Sequence, residues 1–237
     1  MSPVSAERRP RVLAITPNPA VDMTWHADRL VPGGSHRVAA ARLRAGGKGI
    51  NVARVAQQQG APAVVVTTAG GPTGAELVAD LVASGIPHRI VPVHGDTRRT
   101  ATIVDEASGD AMILLEPGVA LDDGEWRALL EAAGAEAEDA AVLTVSGSLP
   151  PQSPASAMAE FVGIAQRRGI PSIVDSSGPA LLAAAAAGAT VLKPNRAELA
   201  EATGIADPVT AARSLLGGGT RLVLLSLGGD GMMAVAS

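Results

Sequence analysis

The 237-residue chain carries 19 Lys and Arg against 23 Asp and Glu. A formal charge of −4 with no basic stripe argues against general nucleic-acid affinity, and the absence of cysteine excludes disulfides, thiolate nucleophiles and thiolate-held metals. A hydrophobic share of 47%, with no tyrosine and one phenylalanine, predicts an aliphatic core in one α/β domain with a small appendage.

The basic run Arg8–Arg11 precedes an apolar stretch that stops at Pro17, too short for a signal-peptide core. The longest uncharged stretch, residues 140–159, contains Pro150, Pro151 and Pro154 and is no membrane helix. The sequence thus reads as soluble and cytoplasmic, with no membrane partner. His26, His36, His88 and His94 show no ligand spacing, against a histidine-built metal site.

In chain order, "RVLAIT" (11–16) predicts the first strand. A helix over 49–59 and a strand over 62–68 follow. The helix expected near 74–84 has Leu77, Val78, Leu81 and Val82 as its apolar face. Segments 20–45 and 88–116 break the rhythm: "HRIVPV", "TATIVD" and "AMILLE" read as strands without intervening helices, and "EASGD" (106–110) as a hairpin turn. These two segments predict a small antiparallel β layer that could act as a lid. Alternation then resumes, with helices near 123–137, 154–168, 195–203 and 207–216. The alanine run 183–187 also reads as helix. Strands are expected over 141–146, 171–177, 189–194 and 221–227. Continuous apolar strands alternating with helices predict a parallel sheet covered on both faces, with ligands beyond the carboxyl ends of the strands.

The stretch "AGGKGINVAR" (45–54) suggests a phosphate or polyol site. A Walker loop needs Ser or Thr after the lysine, but Gly49 follows Lys48; a dinucleotide fingerprint would directly follow the first strand, where "PNPAVD" stands instead. What remains is a glycine turn opening a helix near Ile50, able to offer backbone amides to an anion or to hydroxyls. Asn51 falls in the first turn. A plain strand-to-helix connection with solvated Lys48 is the competing reading.

Read together, "TPNPAVD" (16–22), "AGGKGINVAR" (45–54), "SGSLPP" (146–151), "VDSSGPAL" (174–181), "LKPNRAEL" (192–199) and "SLGGDG" (226–231) resemble the ribokinase-like (PfkB) sugar kinases. The likeness is closest to the 1-phosphofructokinase, 6-phosphofructokinase and tagatose-6-phosphate kinase branch, and spans nearly the whole chain in family order. It implies a three-layer α/β fold with a β-sheet lid over residues 1–237, and ATP-dependent phosphorylation of a phosphorylated ketohexose.

On that resemblance, Asp22, Gly46, Gly47 and Asn51 hold sugar hydroxyls, and Arg98 grips the substrate's phosphate with Arg37 and Lys48 as auxiliaries. Ser146 supports the substrate surroundings, and Asp175 to Ser177 the magnesium surroundings. Lys193, Asn195, Ser226, Gly228 and Gly231 border ATP, and Glu198 orients Mg2+ through water. Taken alone, Asn195 and Glu198 read equally as a helix capping box. Some relatives have a lysine where Ser35 stands, which favours fructose 1-phosphate over fructose 6-phosphate or tagatose 6-phosphate. The family's lid implies a homodimer.

The family's Gly-Ala-Gly-Asp turn, source of the catalytic base, does not occur in these 237 residues. The resemblance places it beyond Ser237, so no catalytic residue is assigned within the chain. It implies a weak or inactive kinase, a fragment or a truncated gene product. A sugar-phosphate-binding protein without chemistry is the alternative, while a nicotinamide oxidoreductase fails for want of the first-strand fingerprint.

Overall fold

The protein is described from a computed structural model that covers residues 10–237; Arg8 and Arg9 of the basic run lie outside the described residues. The apolar runs become strands of an eight-stranded sheet. In chain order these are β1 (Arg11–Thr16), β4 (Ala63–Ala69), β5 (His88–Pro92), β8 (Ala140–Ser146), β9 (Ser172–Asp175), β10 (Val191–Leu192), β11 (Leu222–Ser226) and β12 (Met232–Ala236). Their spatial order is β12-β11-β10-β9-β8-β1-β4-β5, parallel throughout except for β12 against β11. Every residue of β4 is buried, which is why its sequence is continuously apolar or Thr rather than alternating.

Helices cover both faces. On one side α1 (Lys48–Gln58) and α2 (Gly71–Ala83) bury Ile50, Ala53, Leu77 and Leu81 against Ala14, Ala63 and Val65. On the other, α3 (Asp123–Glu136), α4 (Ala157–Arg168), α5 (Gly178–Ala186), α6 (Arg196–Thr203) and α7 (Pro208–Ser214) enclose the larger core. Within it Trp126 and Phe161 form an edge-to-face pair, with centroids 5.6 Å apart. Local signals set the helix ends: a reciprocal Asp122–Glu125 capping box starts α3, and left-handed Gly169 and Gly204 end α4 and α6.

A second sheet, ordered β3-β2-β6-β7, stands apart from the first and is mixed rather than antiparallel, because its central strands β2 and β6 run parallel. It comprises β2 (Ala20–Ala27), β3 (Arg42–Gly46), β6 (Arg98–Asp105) and β7 (Ala111–Leu115). Residues 106–110 form the β6–β7 turn, where Asp105 accepts from the amides of Leu30, Ala107 and Ser108.

The structure corrects several details. "HRIVPV" does not join the small sheet: β5 pairs in parallel with β4 at the edge of the large one, so the second lid segment starts at Arg98. No helix separates β5 from the strands that follow, and as an edge strand it buries only Val91. Val82 is 64% exposed and lies outside the apolar face of α2. The strand expected over 171–177 stops at Asp175, before Gly178 and Pro179 begin α5, and that over 189–194 shrinks to two residues.

Candidate active site

β1 lies between β8, reached late in the chain, and β4, reached early. At such a switch point the loops leaving neighbouring strands diverge and open a crevice at their carboxyl ends. Here the crevice is a cleft of about 590 Å³ whose lining includes Thr16, Asn18, Ser146, Gly147 and Ser148.

The lid supplies the opposing wall through its register. Ala20 pairs with Gly46 and Arg98, Asp22 with Arg44 and Thr100, and Thr24 with Arg42 and Thr102. Strand side chains alternate between faces, so Ala20, Asp22 and Thr24 share a face with Arg98, Thr100 and Thr102. All six line the cleft, with Ile113 and Leu115 of β7 beside them.

The floor is the glycine turn. Gly47 adopts φ 115 and ψ 140 and precedes α1, which no side chain caps. Its first-turn amides are free to meet a ligand. Gly47, Lys48 and Asn51 all border the cleft. Gly46 is not in the lining but is needed there, since a Cβ on it would overlap the Asp22 carboxylate.

Burial raises the Asp22 carboxyl above its ordinary value, opposed by the Thr100 hydroxyl and by Arg98 and Arg44. The Arg98 guanidinium is pulled down by burial and supported by Asp22 and Glu116. Its Nε and Nη2 donate to the Asn18 carbonyl at 3.3 and 3.2 Å, and Nη1 to the Glu116 carbonyl at 2.8 Å.

A raised carboxyl has a definite pH signature. Any stability tied to Asp22 is fully present below its unfolded value, near 3.8, and is lost as pH rises through the folded value. Asp22→Asn removes that loss. Its melting temperature at pH 7 is expected to match or exceed wild type, as calorimetric melts would show. Gly46→Ala should likewise spare the fold, because the displaced Asp22 carboxylate can swing away, yet turn that carboxylate from its place in the cleft.

A second group gathers at the carboxyl ends of β9 and β10. Lys48 Nζ donates to Asp175 Oδ1 at 2.7 Å and Lys193 Nζ to Asp175 Oδ2 at 2.9 Å, with Glu198 Oε1 3.8 Å from Lys48 Nζ. Lys48 is therefore ion-paired, with its side chain half exposed. The capping-box geometry is realised: Asn195 Oδ1 accepts from Glu198 N and Glu198 Oε2 from Asn195 N, each at 2.8 Å. Two carboxylates so engaged leave little for direct metal ligation. A hydrated magnesium, held through its own waters, suits a single carboxylate oxygen. Ser226 bridges Asn195 at the next strand end, and Gly228 and Gly231 lie in the β11–β12 turn, both at positive φ.

One position named from the sequence falls elsewhere. Arg37 is not brought to the cleft: it lies in the exposed connection between β2 and β3. Ser237 is not in the cleft lining either. It follows β12 at the far edge of the large sheet, where its amide donates to the Arg221 carbonyl at 3.2 Å. Antiparallel β12 returns the chain to the amino end of β11, since Ala236 pairs with Leu222. That is the end of the sheet opposite the cleft.

The sequence reading overlooked Thr16, Thr100, Thr102, Ile113 and Leu115, and it assigned no role to Asn18. The alternation Arg98, Thr100, Thr102 was the available signal. His94, Asp122 and Glu125 also converge, within 4.8 Å; hydrogen bonds to Glu125 account for the grouping.

A covered parallel sheet with a β lid facing its carboxyl edge is a ribokinase-like core. A model of the pfkB family of carbohydrate kinases matches residues 16–237. The chain is 37% identical over 234 residues to ATP-dependent 6-phosphofructokinase isozyme 2 of Escherichia coli, covering 96% of this chain and 75% of that protein. It is 39% identical over 230 residues to 1-phosphofructokinase of Haloferax volcanii, covering 94% and 73%. The crystal structure of E. coli phosphofructokinase-2 in complex with fructose-6-phosphate matches with a TM-score of 0.88 at 36% identity, covering 96% of this chain and 77% of that one. This chain belongs to the pfkB family of carbohydrate kinases, and by family it is an ATP-dependent sugar-phosphate kinase.

Proposed function

We propose that the cleft takes a fructose monophosphate for ATP-dependent phosphorylation to the bisphosphate. The observation that supports this reading is that Asp22 and Arg98, on one face of the lid, meet the amides opened by Gly47 across the same cleft. A carboxylate and backbone amides suit sugar hydroxyls, and an arginine fork suits the substrate's phosphate. Ser146 and Asn51 add polar contacts. Lys193, Asn195, Ser226, Gly228 and Gly231 border ATP, with Lys48 between the two subsites and Glu198 orienting Mg2+ through water.

Fructose 1-phosphate is our preferred substrate, on the ground that Ser35 replaces a lysine. Fructose 6-phosphate is favoured by the 37% identity to the E. coli 6-phosphofructokinase. Titration calorimetry with each, and with tagatose 6-phosphate, decides between them; saturable binding by none would refute the site.

No Gly-Ala-Gly-Asp turn occurs in the 237 residues. Lack of a general base costs about 10²–10⁴ in rate, and of an anion hole about 10²–10³. The 237-residue chain is therefore expected to release ADP far more slowly than ~1 s⁻¹, the low end for kinases. Faster turnover in a coupled assay would mean that another residue serves as base. A second reading, a sugar-phosphate binder without chemistry, is separated from the first by titration and turnover together.

The partner surface we propose is the lid. Met112, Ile113, Leu114 and Leu115 of edge strand β7 are each more than half exposed. An open apolar edge strand is apt for pairing, and a homodimer would cover it. The compartment we propose is the cytoplasm.

A further inference from the structure

We infer that Asn18 is a positioning residue of the cleft: its carboxamide ties three loops together, and its carbonyl sets the Arg98 guanidinium. The inference rests on the sugar-phosphate reading of that cleft.

Asn18 follows β1 and is 8% exposed. Its Nδ2 lies 3.0 Å from the Pro117 carbonyl, 3.2 Å from Ser148 Oγ and 3.3 Å from the Leu149 carbonyl. Two amide hydrogens are thus shared among three acceptors. Pro117 belongs to the segment returning from lid strand β7, and Ser148 and Leu149 to the loop leaving β8. One side chain therefore joins the lid to the large sheet at the strand switch point.

The main chain of the same residue faces Arg98. Asn18 O accepts from Nε and Nη2, and Glu116 O, one residue before the Asn18-bound Pro117, accepts from Nη1. Both carbonyls that hold the guanidinium thus sit on segments that the Asn18 carboxamide fixes. Gly118 closes the arrangement: at φ +87, a Cβ on it would stand 2.5 Å from Asn18 Oδ1 and 3.3 Å from Arg98 Cδ. Only glycine lets the lid return pass that closely. A guanidinium held between two carbonyls enters the cleft in one pose, so little ordering is left for the ligand to supply.

A structural role alone would lower stability whatever stands at position 98. A positioning role vanishes once Arg98 is gone, and a double-mutant cycle reads that difference. The probe is whichever of fructose 1-phosphate and fructose 6-phosphate binds the wild-type chain more tightly. Asn18→Ala is expected to weaken binding about tenfold when Arg98 is present and less than about twofold in the Arg98→Ala background, a coupling ordinary for groups in contact. Equal losses in both backgrounds would overturn the inference. Should Asn18→Ala not fold, Asn18→Ser, which keeps one donor, is measured in the same cycle with the same criterion. Failure of the wild type to bind either sugar phosphate would refute the cleft reading and this inference with it, whereas binding with additive losses would refute this inference alone.

Discussion

Arg98→Ala is expected to weaken fructose-phosphate binding by about 10–100-fold while leaving the melting temperature near wild type. A guanidinium–phosphate fork makes two charge-assisted hydrogen bonds, each worth roughly 1.5–3 kcal/mol. The net loss falls below their sum, because the N–H groups that meet phosphate give up water first. The bonds to the Asn18 and Glu116 carbonyls take three of the five guanidinium N–H groups and persist, leaving two for phosphate oxygens. A net ~1.4–2.8 kcal/mol corresponds to one or two decades in affinity. Arg98→Lys should recover only part, since an ammonium is a point charge without the planar fork. Titration of the three proteins gives the comparison; a change below about twofold in Arg98→Ala would remove Arg98 from the phosphate site.

Gly49→Ala should do the opposite, damaging the fold before the site. Propensity alone favours alanine inside a helix by about 1 kcal/mol, so a gain is the naive expectation. Packing reverses the sign. Gly49 is buried in α1 against the end of β1, where a Cβ would overlap Thr16 Oγ1 and stand 2.7 Å from the Ile15 carbonyl oxygen. A backbone carbonyl in the middle of a parallel sheet cannot step aside, and overpacking of this kind costs typically about 1–3 kcal/mol or more. A fall in melting temperature of several degrees is expected. An unchanged or higher melting temperature would show that α1 does not sit this close to β1.

Much of the fold was legible because burial on both faces leaves a plain record. Ala63–Ala69 is entirely buried and entirely apolar or Thr, so it could only be a central strand. Edges record less: His88–Pro92 buries only Val91, no helix separates it from the lid strands, and only its pairing with β4 places it in the large sheet. Helix α2 begins with Gly71 and Pro72, and Val82 faces solvent although its spacing fits the apolar stripe.

The site divides in the same way. Asp22, Gly47, Asn51 and Arg98 line one cleft, and each belongs to a segment that the family resemblance singles out. Thr100 and Thr102 needed the register that places them on the face of Arg98. Asn18 sat within a quoted motif, but its partners Pro117, Ser148 and Leu149 lie 99 to 131 positions away, beyond any local pattern. Arg37 was named on the resemblance alone, which carries no information about where an exposed connection runs. Asn195 and Glu198 realise the capping box that the sequence offered as an alternative, and one Glu198 oxygen also turns toward Lys48.

One phosphorylated sugar touching the glycine turn and the lid arginine at once is the central claim. Amide hydrogen exchange with and without saturating fructose phosphate tests it most directly. The structure leads us to expect simultaneous slowing over Gly47–Asn51 and over Arg98–Thr102. Slowing confined to one of these walls, or absent from both while ligand heat is still released elsewhere, would contradict it.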